Sequence, residues 1–222
     1  RDAQPIVAIL PGSREKEVTT LLPEMAGAAE ILARDFPGAQ FVLPRADTVD
    51  PGLVQRILSR QRAAVRVLDG QMYDAVGLAD AAMVASGTAT LETALLETPM
   101  VIAYRISPLT AAVGKRFIRV EHIGLVNLIA GKRLAPELVQ EDASASRLAA
   151  EIKALLSDRE RRDAIRSELA AIRHKLGEPG AARRAAAIAL GLVNRGAGAQ
   201  GSGSGAGGEK AFPRKCSCIH SA

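Results

Sequence analysis

The chain holds 222 residues, with 29 Lys and Arg against 24 Asp and Glu, a formal charge of +5, 3 His, 2 Cys and no Trp. That length allows one large domain or two small ones around a buried core, and 48% hydrophobic with 24% charged residues is a globular composition. Two Cys exclude a disulfide scaffold or a four-Cys zinc site and fit a reducing, cytosolic setting; the longest late apolar run, Ala185 to Val193, is short for a bilayer, and Arg1 to Pro5 lack a signal-peptide pattern.

Pro5–Leu10 (PIVAIL) reads as a buried strand closed by Pro11-Gly12. Ser13 is the expected N-cap of a helix from Val18 to Asp35, spaced through Leu21, Leu22, Met25, Ala29 and Leu32. Gln40–Leu43 is a second strand, Pro51–Arg62 a second helix and Val65–Leu68 a third strand ending at Asp69-Gly70. A short helix near Tyr73–Leu78 leads to a fourth strand, Ala81–Ala85, after which Ser86-Gly87-Thr88 opens a helix to about Leu96. Pro99–Tyr104 is a fifth strand, Pro108–Ile118 a helix and Ile123–Val126 a short sixth strand. From Ser144 the pattern is all helix: Ser144–Leu156, Asp158–Leu176 and Gly180–Val193.

Alternating helices and nearly continuous apolar strands predict an α/β fold, a doubly wound parallel sheet covered on both faces, with C-terminal helices. Residues 196–208 (GAGAQGSGSGAGG) have linker composition, so residues 1–194 are expected to be the folded domain and 195–222 a disordered Gly/Ser-rich basic tail. Arg195, Lys210, Arg214 and Lys215 against Glu209 put most of the net charge in that tail. With that, and only four Phe and two Tyr in the chain, a nucleic-acid partner is not expected. Gly196, Gly198 and Gly201 match GxGxxG as a string, yet no strand feeds it, so no dinucleotide cofactor is expected.

In an open parallel sheet the ligand sits off the carboxyl ends of the strands. Two corners there have the composition for an anion. Gly12, Ser13 and Arg14 offer close backbone approach, a hydroxyl and a fork-shaped cation, although the same residues also make an ordinary strand-to-helix turn. Ser86, Gly87, Thr88, Ala89 and Thr90 offer amides and hydroxyls, with Glu92 placed for a ribose diol or, more blandly, for the helix dipole. No Walker Lys and no D-x-D pair occur, which fits metal-independent chemistry. His122 next to a strand reads as structural, and Cys216, Cys218 and His220 as incidental tail residues. Lys115, Arg116 and Arg119 form one basic cluster and Arg159, Arg161, Arg162 and Arg166 another, both by default solvated.

The motifs PGSREKEV, ASGTATLET followed by PMVIAYRISPLT, and NLIAGKRLAPELVQED together resemble the C-terminal half of the lipid-A-disaccharide synthase family, from about Ile6 to Glu151. The resemblance implies the Rossmann-like C-terminal domain of a GT-B glycosyltransferase, inverting and without cofactor or metal. It implies transfer of 2,3-diacylglucosamine from UDP-2,3-diacylglucosamine to 2,3-diacylglucosamine 1-phosphate, giving a β-1,6 disaccharide and UDP. By the same resemblance Arg14 is the catalytic arginine on the donor diphosphate, and Gly12 and Ser13 belong to its turn. Ser86, Gly87, Thr88, Ala89 and Thr90 form the diphosphate loop, Glu92 holds the ribose, Tyr104 and Arg105 lie near the nucleotide, and Asn127 borders the donor sugar. Where the family usually reads Ser-Leu-Pro-Asn, this chain has Gly124-Leu125-Val126-Asn127. The resemblance further implies a cytoplasmic enzyme at the inner-membrane surface, able to form a homodimer, with acceptor site and general base in an N-terminal domain that these 222 residues lack. The alternatives are a UDP-sugar binding module inactive on its own and an enzyme like the UDP-GlcNAc 2-epimerases.

Overall fold

A computed structural model describes residues 4–106, 122–177 and 180–198. In chain order the elements are β1 (Ile6–Leu10), α1 (Glu15–Asp35), β2 (Gln40–Arg45), α2 (Pro51–Leu58), β3 (Val65–Asp69), α3 (Met72–Leu78), β4 (Ala81–Ala85), α4 (Ala89–Leu95) and β5 (Met100–Tyr104). Then follow α5 (Leu125–Ala130), β6 (Glu137–Val139), a 3₁₀ turn (Gln140–Asp142), α6 (Ala145–Ser157), α7 (Arg159–Leu176) and α8 (Ala181–Gly198). The chain divides into two compact units, one ending at Gly177 and one that contains α8.

The six strands form one parallel sheet in the order β3-β2-β1-β4-β5-β6. Successive strand residues face opposite sides, so the central strands β1, β4 and β5 supply both cores. Val7, Ile9, Met83 and Val101 pack under α1, α2 and α6, where Leu22, Met25, Leu32, Val54 and Ile152 meet them. Ala8, Leu10, Ala82, Val84 and Ile102 face the other way, toward Val76 of α3, Ala94 of α4, Val126 of α5 and Leu169 of α7. Each fully buried Leu, Ile or Met there contributes on the order of 2 kcal/mol from apolar burial. The doubly wound parallel sheet is therefore as the alternation predicts.

Several details differ from the sequence reading. The stretch 123–126 is not a strand: Val126, Ile129 and Ala130 recur at helical spacing and pack into the second core, so 125–130 is α5. The sixth sheet position goes to Glu137–Val139, which pairs with Ile102, Ala103 and Tyr104. Helix α2 stops at Leu58, where Ser59 caps it, rather than at Arg62. Arg162, expected on a solvated cluster, is buried at 5% exposure and donates to the carbonyls of Leu155 and Leu156, closing the end of α6.

Helix α8 continues through Gly198, past the residue 194 expected to end the folded part. The expected helix 108–118, with Lys115, Arg116 and Arg119, and tail residues 199–222 lie outside the described residues.

Candidate functional site

The sheet order reverses between β1 and β4, and their following helices leave to opposite faces: α1 to one side and α4 to the other. A crevice opens at such a switch point because no helix covers it. Two adjoining hollows lie there, of about 740 and 500 Å³, and Arg14, Glu17, Ala85 and Ser86 line both. The ends of β1, β2, β4 and β5 all deliver residues to this edge.

The β1 turn has a specific backbone. Gly12 sits at φ +115°, a region that favours glycine, and a Cβ there would strike the Glu17 carboxylate. The carbonyl of Ser13 accepts from Thr48 Oγ1 at 2.6 Å, which ties the turn to the loop after β2. Ser13 is not the helix cap. Arg14 occupies that position with extended φ/ψ and no side-chain cap, while Glu17 reaches back to the Ser13 N–H at 3.2 Å. A carboxylate at the third helical position thus holds the N–H of the residue before the cap, and no side chain at the cap accepts from the first-turn amides. Arg14 projects into solvent at 81% exposure, paired with Glu17 at 2.9 Å.

Ser86 ties the start of the β4 loop both to the sheet and to the segment before α5. Ser86 N–H donates to Ala103 O at 2.9 Å, and its Oγ donates to Ile123 O at 3.1 Å. Gly87, Thr88 and Ala89 line the smaller hollow at the start of α4, where a helix has amides without intrahelical acceptors. Thr90 turns inward: it is fully buried, and both its N–H and its hydroxyl donate to Gly87 O. Glu92 lines the same hollow and accepts from the Tyr73 hydroxyl at 3.4 Å.

From β5, Tyr104 and Arg105 line the larger hollow. Arg105 is held rather than loose: Nε donates to Gln140 O at 2.9 Å and Nη1 pairs with Glu24 at 3.0 Å. Gln140, a non-glycine residue at φ +55°, clamps Ile106 with its side chain, accepting the N–H at 2.7 Å and donating to the carbonyl at 3.2 Å. Asn127 lines neither hollow. Its fully buried amide donates to Ala135 O and Glu137 Oε1 and accepts from Leu134 N–H and Ala135 N–H, all within 2.8–2.9 Å. The segment reaches the cleft through Leu125 instead.

The structure thus brings together Gly12, Ser13, Arg14, Ser86, Gly87, Thr88, Ala89, Glu92, Tyr104 and Arg105, and turns Thr90 and Asn127 inward. Sequence reading missed Glu17, Glu24, Arg45 and Gln140. An acidic residue in the first turn of α1 was a signal for Glu17. Glu24 had none, because its partners Arg105 and Ala145 lie 81 and 121 residues away. Chemically, guanidinium groups and helix-start amides converge on a space that suits a phosphate-bearing ligand, beside a carboxylate that can accept from a diol. Among the described residues no cluster of three His, Cys, Asp or Glu is placed to hold a metal ion.

The family described as lipid-A-disaccharide synthetase matches residues 1–191. The chain is 52% identical over 190 residues to the lipid-A-disaccharide synthase of Syntrophus aciditrophicus, covering 85% of this chain and 50% of that protein. It is 45% identical over 192 residues to the lipid-A-disaccharide synthase of Anaeromyxobacter dehalogenans, covering 86% and 50%. The chain spans about half the length of the curated relatives it matches. Its fold is similar to that of the E. coli ADP-heptose LPS heptosyltransferase II, at TM-score 0.51 and 18% identity, covering 72% of this chain and 49% of the other.

Proposed function

Because the chain belongs to the lipid-A-disaccharide synthetase family, we propose that its crevice is the UDP-sugar site of a GT-B transferase. In this reading 2,3-diacylglucosamine passes from its UDP derivative to 2,3-diacylglucosamine 1-phosphate. The observation that carries the reading is the convergence of the Gly12–Arg14 turn, the Ser86–Ala89 loop and Arg105 on one crevice at the sheet's switch point.

The chemistry asked of these residues is leaving-group stabilisation. As the bond from the anomeric carbon to the diphosphate oxygen breaks, the electron pair goes to the β-phosphate. An acceptor hydroxyl attacks the opposite face and loses its proton. In this reading Arg14 and the amides of Ser13, Gly87 and Thr88 meet that negative charge as it grows, and so stabilise the departing UDP more than the bound sugar nucleotide. Glu92 accepts from the ribose hydroxyls, and Arg105 adds a second cation. The acceptor site and the base that takes its proton are assigned to the half of the relatives that this chain does not match. The acyl chains of both substrates place the reaction at the inner-membrane surface, with the protein bound peripherally. Among the described residues no helix is long and apolar enough to cross a membrane.

Calorimetric titration with UDP tests the reading. A charge-assisted contact to phosphate is worth about 1.5–3 kcal/mol, so Arg14→Ala should weaken UDP roughly 10- to 100-fold, and Glu92→Ala should weaken UDP while leaving inorganic pyrophosphate unchanged. If neither substitution changes UDP affinity, the crevice is not the nucleotide site.

A further inference from the structure

Glu17 stands in the first turn of α1, and its carboxylate folds back over the turn that precedes the helix. One oxygen accepts the Ser13 N–H at 3.2 Å and the other pairs with Arg14 Nη1 at 2.9 Å. The space is kept open by Gly12, since a Cβ at that position would collide with the same carboxylate. Glu17 lines both hollows, whereas Glu24 and Asp69, the carboxylates that pair with Arg105 and Arg45, line neither. Those two partners hold their arginines from behind. Glu17 holds its donors from inside the crevice.

A phosphate oxygen arriving at the β1 turn needs the donors that Glu17 already uses, and carboxylate and phosphate repel each other at contact distance. We infer that Glu17 is a specificity-determining residue of the anion subsite. It is an internal carboxylate that competes for the Ser13 amide and Arg14 and sets how much charge a ligand must bring to displace it. The inference rests on the reading of the crevice as a UDP-sugar site. A neutral or singly charged group offers Arg14 little that the tethered carboxylate does not. A diphosphate offers more negative charge and more acceptor oxygens, and so displaces it.

The competing interpretation is that Glu17 only caps the first turn of α1. Glu17→Gln separates the two, because Gln keeps a neutral acceptor for the Ser13 amide and removes the charge. The whole chain, wild type and variant, is titrated with UDP, inorganic pyrophosphate and uridine, with thermal melts alongside. The expected result is roughly three- to tenfold tighter UDP and pyrophosphate with unchanged uridine. Unchanged or weaker binding of UDP and pyrophosphate overturns the inference and leaves a cap. If Glu17→Gln does not fold, Glu17→Asp is read instead, since its charge sits one methylene short of the Ser13 amide. Tighter pyrophosphate then supports competition, and unchanged or weaker pyrophosphate overturns it. Tighter pyrophosphate in the variant with no UDP binding by either protein removes the uridine-nucleotide reading and leaves the competition standing. Absence of pyrophosphate binding in both proteins overturns the competition itself.

Discussion

Asn127 carries an amide with two donor hydrogens and two acceptor lone pairs, and the fold uses all four on Leu134, Ala135 and Glu137. The Glu137 carboxylate also accepts the N–H groups of Ile123 and Gly124, so one small network ties the start of α5 to the start of β6. The carbonyl of Ile123 then accepts from Ser86 in the crevice. Removing the amide would strand buried backbone groups, each costly to leave unpaired. Asn127→Ala should therefore lower unfolding free energy by about 2–4 kcal/mol in urea titration. Asn127→Asp should do similar harm, because a carboxylate cannot donate to Ala135 O and adds a second negative charge beside Glu137. A residue that served only as a sugar ligand would leave the urea midpoint where it was.

Elements are tied together chiefly by apolar packing, yet one polar residue joins three of them. Glu24 of α1 pairs with Arg105 just past β5 and accepts the Ala145 N–H at the first turn of α6, at 2.8 Å. That N–H has no intrahelical partner, so the carboxylate acts as a cap supplied from a distant helix. Glu24→Ala should cost about 1–2 kcal/mol in thermal or urea unfolding, from the lost cap and the released Arg105. Glu24→Gln should recover part of this, because its amide oxygen still accepts from Ala145. The same scale explains the misplaced sixth strand. Ile123, Leu125 and Val126 are apolar in both a strand and a helix pattern, and a run that short has no period of its own. Packing of Val126 and Ala135 into the second core decided for a helix followed by a strand at Glu137.

For the molecule as a whole, every buried apolar residue among those described lies between Pro5 and Ile172. The unit ending at Gly177 therefore contains the core formed by the described residues, with the sheet covered on both faces. A chain ending at Gly177 should unfold in a single cooperative transition within a few degrees of the full chain, as read by calorimetry, and should bind UDP with the same affinity. A broad, non-cooperative melt would show that the α/β unit needs the residues beyond it. In the second unit, α8 exposes Ile188, Leu190 and Leu192 at more than 60% each.

The alternation of apolar strands and amphipathic helices was enough to specify a parallel, doubly covered sheet, because side-chain direction follows backbone period at every residue. Connectivity added the location of the crevice: a strand that ends in Pro-Gly-Ser-Arg or Ser-Gly-Thr before a helix delivers those residues to the carboxyl edge of the sheet. The motifs PGSR, SGTATLE and NLIAGK also carried the family. What they left open was every pairing between distant residues. Ser86 meets Ile123 across 37 positions, Ile106 meets Gln140 across 34, and Arg105 meets Glu24 across 81. Such partners are set by strand order and helix packing, to which local period is blind. That is why Asn127, polar and near the crevice in sequence, became a buried staple in the tertiary structure. Glu17, unremarkable as one of many surface acids, became the carboxylate that faces the crevice's cation.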